Sequence, residues 1–324
     1  MNILLTGGAG YIGSHTAFSL IDNNHKVTIV DNLITGSHKL IPQKANFINT
    51  DIDNKAVVSD LLKKNSFDLV MHFAGLVKVD ESLKFPEKYN LYNFKKPKIF
   101  FDLCLENGLN KIIFSSTAAV YGKSSKQNKL DENSQLNPSN PYAKSKNDLE
   151  KYLVTLSMKN KIKCVILRYF NVAGADSKKR SGLLTKNSNN LIKVVCEVAT
   201  EKRKKLLING KDYDTKDGTP IRDFIHVSDL VDMHLIASEY LNKNEKSDIF
   251  NCGYGNGYSV KEVVEEMEKI LKHDLNHEFG PRREGDIPYS VADSNKFKSK
   301  FNWMPKYNNL NQILHSALEW EKII

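Results

Sequence analysis

Tyr142 and Lys146 stand four residues apart in a stretch patterned as a helix. That spacing projects both side chains from one helix face. An ammonium near a phenol favours the phenolate and lowers its pKa towards neutrality, which makes a proton-transfer base. Tyr92 and Lys96 share the spacing, but Pro97 follows them and they read as structural. The context that separates the first pair is Phe114-Ser115-Ser116-Thr117, an apolar run that ends in hydroxyls. Open α/β sheets place their chemistry at the C-terminal edge of such strands. A hydroxyl there, with Tyr and Lys about 25 residues later, makes a proton-transfer triad.

A second cluster is built for a ligand. Gly7-Gly8-Ala9-Gly10-Tyr11-Ile12-Gly13 follows the first apolar run and opens a helical pattern. Glycines there let the backbone approach a pyrophosphate, and the helix N-terminus offers free N–H donors. Asp31 ends the next apolar run, 18 residues after Gly13. A carboxylate in that place accepts hydrogen bonds from ribose hydroxyls and repels a 2′-phosphate, so the expected cofactor is NAD and not NADP.

These groups need a scaffold. Strands are predicted over Asn2–Thr6, Lys26–Val30, Asn46–Thr50, Leu69–Phe73, Lys111–Ser115 and Lys163–Arg168. Their consecutive apolar residues suit strands buried on both faces. Helices are predicted between them, over Gly13–Asp22, Ala56–Lys64, Glu87–Glu106 and Tyr142–Met158. The alternation predicts an α/β fold with a doubly wound parallel (Rossmann) sheet. After Asn171 the alternation fades. Residues 176–190 read as a polar loop, and helices are predicted over Asn190–Lys202, Val227–Leu241, Val260–Leu271 and Leu310–Lys322. This half reads as a smaller mixed α/β domain, with the division placed between residues 1–172 and 173–324.

Composition bounds the remaining classes. The chain has 324 residues, 40% of them hydrophobic and 26% charged, which is ordinary globular usage. No apolar run reaches the ~20 residues of a membrane helix. No basic leader precedes the glycine loop, so secretion is not expected and the expected location is cytoplasmic. The formal charge is +9, but the lysines are dispersed among acids, so no nucleic-acid or membrane partner is expected. Four scattered cysteines, Cys104, Cys164, Cys196 and Cys252, form no C-x-x-C pair, and neither a metal site nor a disulfide framework is expected.

Taken with their spacing, these residues resemble the extended short-chain dehydrogenase/reductase superfamily and, within it, the UDP-glucose 4-epimerase family. The stretches that carry the resemblance are GGAGYIGSH from Gly7, DNL from Asp31, HFAG from His72, FSSTAAVYG from Phe114 and NPSNPYAKSK from Asn137. LRYFNVAGA from Leu167, DYDTKDGTPIRDFIHVSDL from Asp212 and RREGD from Arg282 are the more specific ones. They span nearly the whole chain. The resemblance implies Tyr142 as base, Lys146 as its pKa tuner and Thr117 as the hydroxyl that bonds the sugar. It implies an NAD site lined by Gly7, Gly10, Tyr11, Ile12, Asp31, Asn32, Asp51, Ile52, Phe73, Ala74, Gly75 and Asn93, with Tyr142, Lys146 and Tyr169. It implies that Asn171, Asn190, Leu191, Arg222 and Arg283 hold uridine diphosphate, with Asp286 beside the ribose. It also implies a homodimer formed through the helices carrying Glu87–Glu106 and Tyr142–Met158. A planar guanidinium suits a diphosphate on chemical grounds as well.

Three departures from the family pattern stand out. Val77, with Lys78 after it, replaces a cofactor-contacting lysine. Asn209 stands where an aromatic residue is common. Phe94-Lys95-Lys96-Pro97 replaces an Asn-Gly-Thr pattern. The family's dehydratases and decarboxylases place acids just after the strand-end threonine, where this chain has Ala118 and Ala119. Elimination needs an acid for the leaving hydroxyl. The expected reaction is therefore oxidation and re-reduction at C4, interconverting UDP-glucose and UDP-galactose through a transient 4-keto sugar. The alternatives are another NAD-retaining nucleotide-sugar enzyme, such as a decarboxylase or dehydratase, or a non-catalytic NAD sensor, which would be expected to lose Tyr142 or Lys146. Ser290, four residues after Asp286, falls where relatives carry a gate for the sugar's 2-substituent. A small residue there implies activity on the N-acetylglucosamine and N-acetylgalactosamine nucleotides too.

Overall fold

A computed structural model describes all residues except 123–127, 186–187, 244 and 284. Part of the polar stretch 176–190 and Glu284 of the Arg-Arg motif therefore lie outside the described residues. Thirteen strands are described: β1 Asn2–Thr6, β2 Lys26–Asp31, β3 Asn46–Asn49, β4 Leu69–His72, β5 Lys111–Thr117, β6 Lys163–Tyr169, β7 Asn171–Ala173, β8 Leu206–Asn209, β9 Ile221–His226, β10 Asp248–Cys252, β11 Gly257–Ser259, β12 His277–Gly280 and β13 Tyr289–Ser290.

Seven of them form one sheet in the order β10-β6-β5-β4-β1-β2-β3. β1 pairs in parallel with β2 and with β4, β2 with β3, and β4 with β5. The strand order reverses between β1 and β4, which is the switch point where doubly wound sheets open a ligand crevice. The predicted α/β doubly wound architecture is present. Ile3, Leu4 and Leu5 of β1 and Leu69, Val70 and Met71 of β4 have no exposed surface. Leu4 and Val70 share a core with Phe100, Phe101, Phe114 and Leu153, as expected of strands covered by helices on both faces.

The chain divides into two compact units with interleaved segments. One holds Met1–Val120, Pro138–Arg168 and Val231–Phe250, and the other holds Tyr121–Asn137, Tyr169–Leu230 and Asn251–Ile324. In the second unit β9 pairs with β7, β11 and β13, and β8 pairs with β12. Asp223 organises this small sheet. Its buried carboxylate accepts from the N–H groups of Tyr254, Gly255 and Ala292 at 3.0, 2.8 and 3.2 Å. Burial pushes its pKa up to about 6.

The helix predicted over Glu87–Glu106 is broken into three pieces. Pro86–Asn90 and Lys96–Glu106 are α-helical, and Leu91–Lys95 between them is a π-helix. Pro97 supplies the reason, because it offers no N–H to the carbonyl four residues earlier. The sequence reading also missed the helices Val79–Lys84 and Asn295–Phe301 and the short strands of the second unit. The four cysteines are buried, with thiols unbonded to one another and pKa values pushed up by burial.

Candidate active site

The helix Pro141–Met158 begins where its sequence dictates. The Asn140 side chain accepts from the Ala143 N–H at 2.8 Å, and Pro141 takes the first helical position. Tyr142 therefore lies in the first turn, where the helix dipole favours negative charge. Thr117 ends β5 and accepts from the Ala119 N–H at 3.2 Å. The Thr117 hydroxyl lies close enough to the Tyr142 phenol to act on its pKa. The pair that the sequence placed 25 residues apart thus meets at the strand end.

Lys146 is buried one helical turn further on, with its ammonium 4.4 Å from the centre of the Phe114 ring. Burial lowers its pKa to about 7, and the charge of Glu150 opposes that shift. Burial raises the Tyr142 phenol above its ordinary value, and the Thr117 hydroxyl opposes that rise. Helical spacing places two groups on one face but does not fix what each side chain turns toward. The Lys146 ammonium lies 4.0 Å from the point a Cβ on Gly75 would occupy.

The glycine loop forms a tight turn beside this group. Gly7 has φ +73°, and a Cβ there would lie 2.4 Å from the Ala74 nitrogen. A Cβ on Gly13 would lie 2.3 Å from the Gly7 carbonyl oxygen. The helix Tyr11–Asp22 has Gly10 at its N-cap, with no side-chain cap and no acid in its first turn. A helix start with no side-chain cap, entered through a turn that admits only glycine, fits a dinucleotide pyrophosphate. Asp31 ends β2, and its two carboxylate oxygens accept from Ala9 N–H at 3.0 Å and Leu33 N–H at 2.8 Å. Burial raises its pKa, with the two backbone bonds opposing.

Other predicted cofactor residues cluster here with defined partners. Asn32 donates to Asp51 at 3.2 Å, and Lys96 bonds the same carboxylate at 2.5 Å. Lys96 of the departing Phe94–Pro97 stretch thus anchors Asp51. Ile52 is buried, and the Phe73 ring lies 5.0 Å from that of His234. Tyr11 meets His15 edge-on at 5.2 Å, and Ile12 follows it in the first turn of the same helix. Asn93, in the π-helix, accepts from Leu76 N–H at 2.8 Å and donates to Leu76 O at 2.9 Å and to Ser145 Oγ at 3.2 Å. It therefore acts by tying the loop after β4 to the Tyr142 helix.

The second unit carries the predicted nucleotide residues. Arg222 of β9 donates to Asp286 at 3.1 Å. The Arg283 carbonyl accepts from the Asp286 N–H at 3.2 Å. Asn171 of β7 pairs with Phe224 of β9, and Tyr169 is buried. Asn190 caps the helix that Leu191 opens and donates to Val172 O at 3.3 Å, so its side chain already has structural partners. Ser290 of β13 lies opposite Arg222. Successive strand residues face opposite sides, so Ser290 shares the Arg222 face and Tyr289 does not. The sequence left that register open.

Residues 3–253 match the NAD dependent epimerase/dehydratase family. The chain belongs to that family. It is 41% identical to a UDP-glucose 4-epimerase of Azospirillum brasilense over 99% of this chain and 92% of that one. The UDP-Glc/GlcNAc 4-epimerase structure from Campylobacter jejuni is 44% identical, with TM-score 0.86 and 99% of each chain covered. The UDP-glucose 4-epimerase of Brucella ovis, solved in complex with NAD, is 33% identical, with TM-score 0.94 over 99% of this chain and 98% of that one. NAD is the cofactor of this epimerase-family chain, in agreement with Asp31. Sequence reasoning missed Ser116, Glu150 and Arg168, although Glu150 stands four residues after Lys146 and could have been found by spacing.

Proposed function

We infer that this chain is an isomerase, a 4-epimerase that interconverts UDP-glucose and UDP-galactose. The observation that supports the reading best is the Thr117 hydroxyl acting on the Tyr142 phenol at the end of β5, followed by Ala118 and Ala119. No carboxylic acid stands at 118 or 119 to protonate a departing hydroxyl, and the alternative of a dehydratase or decarboxylase is not favoured. Bound NAD supplies a hydride acceptor and donor for C4 of the sugar. The Tyr142 phenolate takes the proton of the C4 hydroxyl, with Thr117 bonded to the same oxygens. It returns the proton when the 4-keto sugar is reduced on its other face. The reaction needs no second substrate and leaves no net redox change. Arg222 and Arg283 are assigned the diphosphate, and Asn171, Leu191 and Asp286 the rest of the nucleotide.

We also propose that the N-acetylated pair of UDP-sugars is accepted, which Ser290 supports. No helix among the described residues is long and apolar enough to cross a membrane, and cytoplasmic residence belongs to the same reading. So does a homodimer through the helices near Glu87 and Tyr142, supported by the exposed Leu83, Phe85 and Leu91. Sedimentation showing only a 324-residue monomer would remove the dimer.

The function is tested by incubating the purified protein with UDP-galactose and no added cofactor. UDP-glucose should appear, and denatured protein should release NAD with little NADP. A dehydrated or decarboxylated product would overturn the reaction. NADP as the main released dinucleotide would overturn the role of Asp31, whose charge would oppose a 2′-phosphate.

A further inference from the structure

One turn beyond Lys146, the same helix carries a buried charge that the proposed reaction does not use. The Glu150 carboxylate accepts from Arg168 Nη2 at 2.7 Å and from Arg168 Nε at 3.1 and 3.2 Å. It also accepts from the Ser116 hydroxyl. Glu150, Arg168 and Ser116 are each 2% exposed. They join three elements: the helix of Tyr142 and Lys146, β6, and β5 next to Thr117. A buried ion pair contributes little net stability, because desolvation offsets its attraction. Its presence here calls for another role, and its partners indicate one.

Tyr142, Lys146 and Glu150 follow at i, i+4 and i+8, so one helix face carries all three. We propose that Glu150, fixed by Arg168 and Ser116, is a positioning residue that holds Lys146 as an ammonium and sets the strand end carrying Thr117. The inference rests on the assignment of Tyr142 and Lys146 to proton transfer. The groups around Lys146 are few in kind. Tyr142 and Glu150 flank it on its own helix, and the Phe114 ring lies against it from β5. His72 on β4 feels its charge, has a pKa held well below the ordinary value by burial, and carries no charge to compete. The point a Cβ on Gly75 would occupy lies 4.0 Å from the ammonium and 3.0 Å from Asn93 Oδ1, and both residues are neutral. Arg168 lies behind Glu150 on β6. Glu150 is thus the anion that opposes the lowering of Lys146 by burial.

The sign follows from those charges. The Lys146 ammonium is present below its pKa and is lost as the pH rises through it. Removing the Glu150 charge lowers that pKa, so the alkaline limb of kcat should move to lower pH. Glu150→Gln should shift the limb down by roughly one pH unit or more, with KM for UDP-galactose within about twofold. Glu150→Asp keeps the charge and should restore the limb to within a few tenths of a unit. Because Glu150→Gln leaves Arg168 buried without its partner and can impair folding, Glu150→Gln with Arg168→Met is the second variant. Replacing both partners of a buried pair is often tolerated, and the limb should still fall. A wild-type limb in either folded variant makes the network merely structural and overturns the proposal. The underlying assignment fails separately, if Tyr142→Phe keeps its turnover.

Discussion

Tyr142→Phe should leave the fold and the released NAD unchanged and cut kcat by roughly 10²-fold or more, since a positioned general base is typically worth ~10²–10⁴. The substitution removes one oxygen and keeps the ring, so the edge-on contact with Tyr89 at 6.4 Å survives. Thr117 keeps its bond from Ala119. The loss should therefore appear in kcat, with KM little changed, as for a group that acts in the transition state. Turnover within about threefold of wild type would remove Tyr142 from the base role, for which ~10²-fold is the least expected loss. The raised pKa of the phenol strengthens the test. Tyr142 becomes a phenolate near neutral pH only with help from its surroundings.

Ser290→Tyr should selectively abolish activity on UDP-N-acetylglucosamine, by roughly 10²-fold or more, and spare UDP-galactose. Filling a packed site with extra atoms costs about 1–3 kcal/mol for a few methylenes, and a phenol ring is larger. Ser290 is buried and lies opposite Arg222, so the new ring would project from the face that carries the proposed diphosphate ligand. Tyr289 is on the other face, so it does not already fill this place. Retained UDP-galactose turnover shows that the variant is folded. A wild-type protein that turns over UDP-galactose but not UDP-N-acetylglucosamine would show the gate to be misassigned.

The layout of the first unit was legible in the order of its residues. The predicted strands from Asn2 to Arg168 match β1 to β6 within a few residues. Strands buried on both faces leave a continuous apolar run, and periodicity reads that signal well. The glycine loop was legible for a similar reason. Gly7 and Gly13 are required because a Cβ would lie 2.4 Å from the Ala74 nitrogen and 2.3 Å from the Gly7 carbonyl oxygen, so their identity carries the geometry. The Tyr142–Lys146 spacing and the hydroxyl end of β5 were equally plain.

Features that depend on partners distant in the chain emerged only on folding. β10 joins the edge of the large sheet beside β6, and its polar Asp248 and Asn251 gave no strand signal. Val231–Phe250 thereby belongs with the first unit, and a single cut after residue 172 does not describe that path. The π-helix at Leu91–Lys95 interrupts a pattern that reads as one helix, because periodicity does not register one missing backbone donor at Pro97. The direction of the Tyr142 pKa shift turned on burial, which spacing does not contain. The face of Ser290 turned on its register with β9. The Glu150–Arg168–Ser116 network turned on three elements brought together by folding. Local sequence fixes which groups can meet along one helix or one strand. Which charge is desolvated, and against what, is set only when the layers pack.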